Sequence, residues 1–86
     1  MEVVFYGGVL DHTGGKKSCE IDDSPTLREL IDKLGGLFGG QFREFLLGDE
    51  TCFFLINGKG IMMTGGLNTK LHSKDRIEVL PFAEAG

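Results

Sequence analysis

Asp75-Arg76-Ile77-Glu78-Val79-Leu80-Pro81-Phe82-Ala83-Glu84-Ala85-Gly86 is the stretch that decides how this chain is read. Ile77 and Val79 alternate with Arg76 and Glu78, the period of a half-buried strand. Pro81 has no N–H to offer a ladder, so the strand is expected to stop there. The residues after it are mostly small and end on glycine. Fully extended, they reach about 17 Å, far enough to enter a pocket on another protein. The expected organisation is a folded domain over residues 1–81 and a flexible tail over residues 82–86.

Working back from that strand, Lys74-Asp75 is a turn into it. Residues 64–73 read as irregular, with Leu67 and Leu71 as buried anchors. Ile61 to Met63 suggests a brief edge strand. Asn57-Gly58 is a strong turn pair, since both residues tolerate positive φ. Cys52 to Asn57 is a strand, with Phe54 and Ile56 on one side and Phe53 and Leu55 on the other.

From the other end, Met1 to Tyr6 is the first strand, with Met1, Val3 and Phe5 on one side and Glu2, Val4 and Tyr6 on the other. Val9 to Lys17 reads as a loop, and Ser18 to Ile21 as a second strand in a hairpin with the first. Asp22-Asp23-Ser24-Pro25 reads as a helix start, with Ser24 as cap and Pro25 in the first turn. Leu27, Leu30, Ile31 and Leu34 form one apolar stripe, and Gly35-Gly36 is expected to end the helix. A second, shorter helix is expected over Gln41 to Leu47, with Phe42, Phe45 and Leu46 on one face. One helix and one short helix packed on one face of a sheet of four to five strands make an α+β domain.

Composition narrows the function. Eighty-six residues suffice for one core, and 41% apolar with 26% charged residues is ordinary for a globular domain. A net charge of −4 disfavours nucleic acid, which requires clustered cations. The longest apolar run, Cys52 to Ile56, is too short to span a membrane. Glu2 directly after Met1 argues against a secretory leader, and a cytoplasmic protein is expected. Cys19 and Cys52 lack the spacing of a zinc site and are expected to be buried and reduced. His12 and His72 fall in loops without metal co-ligands, and solvent exposure is expected for both. Gly14-Gly15-Lys16-Lys17-Ser18 precedes a strand, not a helix, and lacks the spacing of a phosphate loop. No catalytic residue and no metal site emerges.

Several segments taken in order resemble one family. They are the hydrophobic first strand, Pro25-Thr26-Leu27-Arg28-Glu29-Leu30, Leu55-Ile56-Asn57-Gly58, Gly65-Gly66-Leu67-Asn68-Thr69-Lys70-Leu71, Lys74-Asp75-Arg76-Ile77, and the tail with Pro81 and Gly86. Together they resemble the MoaD/ThiS-type sulfur carriers, typified by the small subunit of molybdopterin synthase. The resemblance implies a ubiquitin-like β-grasp fold, with the first and last strands side by side and parallel. In that fold Cys19 and Cys52 sit on opposite sides of the central pair, out of reach of a disulfide.

The resemblance also implies a role for each part of the tail. Gly86 would be the residue modified, adenylated and then thiocarboxylated. Phe82, Ala83, Glu84 and Ala85 would thread a partner's channel. Ala85 stands where the family has its penultimate glycine, and Phe82 where a second proline is usual. The chain would bind no cofactor of its own; ATP would be used by an activating adenylyltransferase (MoeB/ThiF-like). Sulfur would pass to a molybdenum or tungsten cofactor precursor in complex with a larger, MoaE-like synthase subunit. Val4, Tyr6, Phe53, Leu55 and Leu80, on the face away from the helices, form a candidate partner interface. Two other readings share the architecture: a protein modifier joined to lysines through Gly86, and a binding module whose tail is chemically silent.

Overall fold

The computed structural model describes residues 1–22, 24–48, 51–61 and 66–82. Five strands, β1 (Glu2–Phe5), β2 (Ser18–Glu20), β3 (Cys52–Ile56), β4 (Lys59–Ile61) and β5 (Arg76–Pro81), form one mixed sheet in the order β2-β1-β5-β3-β4. β1 and β5 are parallel, pairing Val3 with Ile77 and Phe5 with Val79, and the other three pairings are antiparallel. Helices α1 (Leu27–Phe38) and α2 (Gly40–Leu47) cover one face. This is the expected β-grasp arrangement, with the first and last strands joined at the centre.

The core lies between that face and the helices. Val3, Leu27, Leu30, Ile31, Leu34, Leu46, Phe54, Ile77 and Val79 have no solvent exposure. The alternation read in β5 therefore holds, with Ile77 and Val79 inward. Leu71 is buried, as expected, whereas Leu67 is only half-buried and packs against the core from its edge. Cys19 on β2 and Cys52 on β3 are both free thiols, with β1 and β5 between them, a separation of about 14 Å at ordinary strand spacing. Cys52 is buried, but Cys19 is only half-buried.

Several expectations need correction. Ser24 does not cap α1; its hydroxyl donates to the Asp22 carbonyl at 3.2 Å. The cap is Thr26, whose Oγ1 accepts from the Glu29 N–H at 3.4 Å, and Pro25 lies before the helix. The next free donors, Leu27 N and Arg28 N, go to the carbonyls of Thr69 and Leu67, both at 3.0 Å. The long loop thus finishes the helix terminus that Ser24 was expected to finish. Nor does Gly35-Gly36 end α1, which continues to Phe38 and stops at Gly39, at φ 113°. Gly35 instead permits helix packing: a Cβ there would sit 2.9 Å from Cβ of Arg43 on α2. Arg43 Nε closes the same contact with Asp32 Oδ1 at 2.9 Å.

The stretch from Val9 to Lys17, expected as a loop, begins within a 3₁₀ turn over Gly7–Asp11 that buries Val9 completely. His12, expected in solvent, lies against Phe42 and Phe45, with ring centroids 5.5 and 4.4 Å apart. β4 begins at Lys59, two residues ahead of the expected Ile61; Met62 and Met63 lie outside the described residues. His72 is exposed, as expected.

At the end of the sheet where β5 begins, Asn57 and Asp75 form a clasp. Asn57 adopts φ 52° and donates from Nδ2 to Asp75 Oδ1 at 2.8 Å. Asp75 Oδ2 accepts the His72 N–H at 2.8 Å, and the Arg76 N–H donates to Asn57 Oδ1 at 3.0 Å. The Asn57 bond, then the His72 amide, hold the Asp75 carboxyl below its ordinary value of 3.8. A lowered folded-state value stabilises above the unfolded value and is lost as pH falls through the folded one. Asp75 is buried, so Asp75→Ala should cost about 1.5–3 kcal/mol at neutral pH, the range for hydrogen bonds to a charged group. Its deficit should shrink below pH 3.8, as wild type loses the same contribution. Urea melts of both proteins at pH 7 and pH 3 check this; a pH-independent deficit would contradict it.

Candidate functional site

The sheet face opposite the helices is open, and its register sorts it into rows. Glu2 lies beside Arg76, Val4 beside Glu78, and Leu55 beside Glu78 from the other side. Leu80 lies beside Phe53. Arg76 Nη1 pairs with Glu2 Oε1 at 2.8 Å, so the end of the face near the Asn57 clasp is charged. The other end, where β5 finishes, is apolar: Phe53 and Leu80 are half-buried, while Tyr6 and Phe82 are 37% and 41% exposed.

Glu78 stands between the two ends. Tyr6 Oη donates to Glu78 Oε2 at 2.6 Å, and this bond raises the phenol above its ordinary value. The structure thus brings together all five expected interface residues, Val4, Tyr6, Phe53, Leu55 and Leu80, but sets a charged hydrogen-bonded pair among them. That division was legible in the alternation, since Glu78 shares parity with Leu80.

The root of the tail is fixed to this apolar end. The Phe82 N–H donates to the Thr51 carbonyl at 3.0 Å, and its ring meets Phe53 edge to face at 6.0 Å. Thr51 was not singled out from sequence, and only the β3–β5 register reveals its part. Pro81 pairs with Cys52 as the last residue of β5, where the strand was expected to stop. The Phe82–Thr51 bond makes the Pro81–Cys52 pair a non-hydrogen-bonded one, so the missing N–H would point toward β1. β1 has already ended at Phe5, so the proline removes no ladder bond. Ala83, Glu84, Ala85 and Gly86 lie outside the described residues.

The chemistry available to the described body is limited. Burial pushes the Cys52 thiol up to about 11, and burial also raises Cys19, so neither favours the nucleophilic thiolate. Among the described residues, no group of three or more His, Cys, Asp or Glu is placed to hold a metal, and no helix is long and apolar enough to cross a membrane.

Comparison with known proteins agrees in fold. The ThiS family pattern matches residues 3–86. CysO of Mycobacterium tuberculosis, described as an antigen, is 25% identical, with 93% of this chain and 96% of that one covered at a TM-score of 0.78. A chain of the BexX/CysO complex of Amycolatopsis orientalis is 26% identical, with 93% of this chain and 92% of that one covered at a TM-score of 0.74. Small archaeal modifier protein 1 from Methanosarcina acetivorans, at 21% identity, shares the fold over 99% of this chain and 94% of its own at a TM-score of 0.74. No protein of curated function matches the chain in sequence. With the sheet order, the parallel central pair and a pattern match running from β1 to Gly86, the chain belongs to the ThiS family and is a ubiquitin-like sulfur carrier.

Proposed function

We propose that this chain carries sulfur as a thiocarboxylate on Gly86 and delivers it to the precursor of molybdopterin, the dithiolene of molybdenum and tungsten cofactors. The observation that carries the reading is the family match that continues through the tail to Gly86. Sulfur carriers of this family work with adenylating enzymes of the ubiquitin-activating type and with partner enzymes, and are generally not catalytic themselves.

A free carboxylate resists attack, so it must first be activated. A Gly86 oxygen attacks the α-phosphorus of ATP and pyrophosphate leaves, giving an acyl adenylate. Sulfide then attacks the carbonyl carbon and AMP leaves, giving the thiocarboxylate. A MoeB/ThiF-like adenylyltransferase would supply the nucleotide chemistry, and a MoaE-like subunit the transfer. The chain's own part is mechanical: Thr51 and Phe53 hold the tail's root while the apolar end of the sheet rests on the partner. Glycine at the reacting position lets the backbone adopt conformations that a side chain would forbid.

Intact mass spectrometry after incubation with ATP, adenylyltransferase and a sulfide donor should show one oxygen replaced by sulfur, mapped to Gly86. A chain lacking Gly86 should show no change. A carboxylate left unmodified beside a charged control carrier would overturn the proposal, and Gly86 linked to lysines would mark a modifier instead. Delivery to cysteine synthesis or another sulfur pathway is the second reading, favoured by the likeness to CysO over more than nine-tenths of both chains. Offering the charged carrier to the dithiolene precursor with the large subunit, and separately to an activated serine with its synthase, distinguishes the two.

A further inference from the structure

The sheet has an open edge at β2, beyond which no strand lies among the described residues. The pairing there shows which backbone groups face outward. The Ile21 N–H donates to the Met1 carbonyl at 3.0 Å, and the Phe5 N–H to the Lys17 carbonyl at 2.9 Å. With Val3 opposite Cys19, residues 17, 19 and 21 therefore turn their amides toward β1. Ser18 and Glu20 turn theirs to the edge.

Beyond those two, the chain occupies its own groups. The Lys16 carbonyl accepts Thr13 Oγ1 at 2.7 Å, and the Asp22 carbonyl accepts Ser24 Oγ at 3.2 Å and Lys33 Nζ at 3.4 Å. The available edge is two residues, flanked by the exposed side chains of Lys16 and Asp22. Beside it runs a groove of about 330 Å³ between β2 and α1, with Ile21 and Gly36 in its lining and Leu37, 60% exposed, at its rim.

We propose that a second copy of this chain docks on this edge, its β2 antiparallel to the first, with Ser18 of each copy opposite Glu20 of the other. This register selects itself. It matches both outward-facing residues with outward-facing residues, giving four backbone hydrogen bonds. It sets Lys16 of each copy near Asp22 of the other, opposite charges at both ends of the short ladder. It also aims the stem of Lys17 at the groove of the other copy, over Leu37 and toward the Asp22 carboxylate. Lys33 in that groove is turned to the Asp22 carbonyl.

The neighbouring registers are worse. Sliding two residues one way sets Glu20 against Glu20. Sliding the other way leaves Glu20 facing the occupied backbone of Lys16. The pairing is isologous, so it closes as a dimer and does not grow into a fibre. Its small area makes it a weak, reversible contact. Cys19 of the two copies becomes a non-hydrogen-bonded pair with Cα atoms about 4.5 Å apart, within disulfide reach.

Sedimentation of the full chain over a concentration series should show a reversible monomer–dimer equilibrium. Mild oxidation should trap a disulfide-linked dimer that is lost in Cys19→Ser and kept in Cys52→Ser. Lys16→Glu or Asp22→Lys alone, each confirmed folded by circular dichroism, should weaken the dimer about tenfold through its two symmetry-related charge pairs. The two together should restore it. A chain that stays monomeric throughout, a cross-link that depends on Cys52, a dimer indifferent to Lys16→Glu, or a double variant no better than the singles would each overturn the proposal. None of these readouts involves Gly86, so they stand or fall independently of sulfur transfer.

Discussion

Phe42→Ala should be the most damaging single truncation in this fold, costing about 3–5 kcal/mol. Phe42 is 1% exposed and sits where α2, α1, β1 and the 3₁₀ segment meet. Its ring lies 5.9 Å from that of Phe5, 5.7 Å from Phe38 and 6.4 Å from Phe45, and His12 stacks on it. Removing it deletes the transfer energy of a whole ring and leaves a cavity bounded by stiff neighbours. A domain of this size has roughly 5–10 kcal/mol in all, so much of the margin goes. Thermal melting should fall by about 15–25 °C. A fall of only a few degrees would mean that His12 and Phe45 close over the gap. His12→Ala should do far less, because the imidazole covers the cluster from outside.

Leu80→Asp is the change expected to hurt partner binding most. Leu80 lies beside Phe53 at the centre of the apolar end of the sheet, next to the fixed root of the tail. Buried central positions of an interface are where truncations cost most, about 2–4 kcal/mol, and a carboxylate there adds its own desolvation. Affinity for the adenylyltransferase should fall about a hundredfold, and the new charge would also repel Glu78 two residues away on the same face. The fold should survive, because Leu80 is only half-buried and contributes nothing to the sealed core. Leu55→Asp, nearer the charged end, should weaken binding less. Calorimetric titration against the activating enzyme, with circular dichroism as the folding control, measures both. If complex formation survives both changes, the docking face lies elsewhere.

The local pattern of residues determined much of this protein. Period-two alternation in β1, β3 and β5 was enough to assign inward and outward sides. The apolar stripe of α1 placed Leu27, Leu30, Ile31 and Leu34 in the core, and Asn57-Gly58 marked the hairpin. These features follow from backbone geometry within a few residues, so neighbours in sequence carry the information. The five expected interface residues share a side for the same reason.

Contacts between distant segments were decided only in three dimensions. Glycine pairs look alike in sequence, yet Gly35 is a helix contact because Arg43 approaches it, while Gly39 at φ 113° is the stop. Ser24 and Thr26 are both plausible caps, and the loop carbonyls of Leu67 and Thr69 determine where the helix starts. His12 became part of the aromatic cluster because the 3₁₀ turn carries it onto α2. The open edge of β2 depends on the registers of strands far apart in the chain. In each case the competing local choices differ by about 1 kcal/mol or less, and packing against a remote segment outweighs that difference.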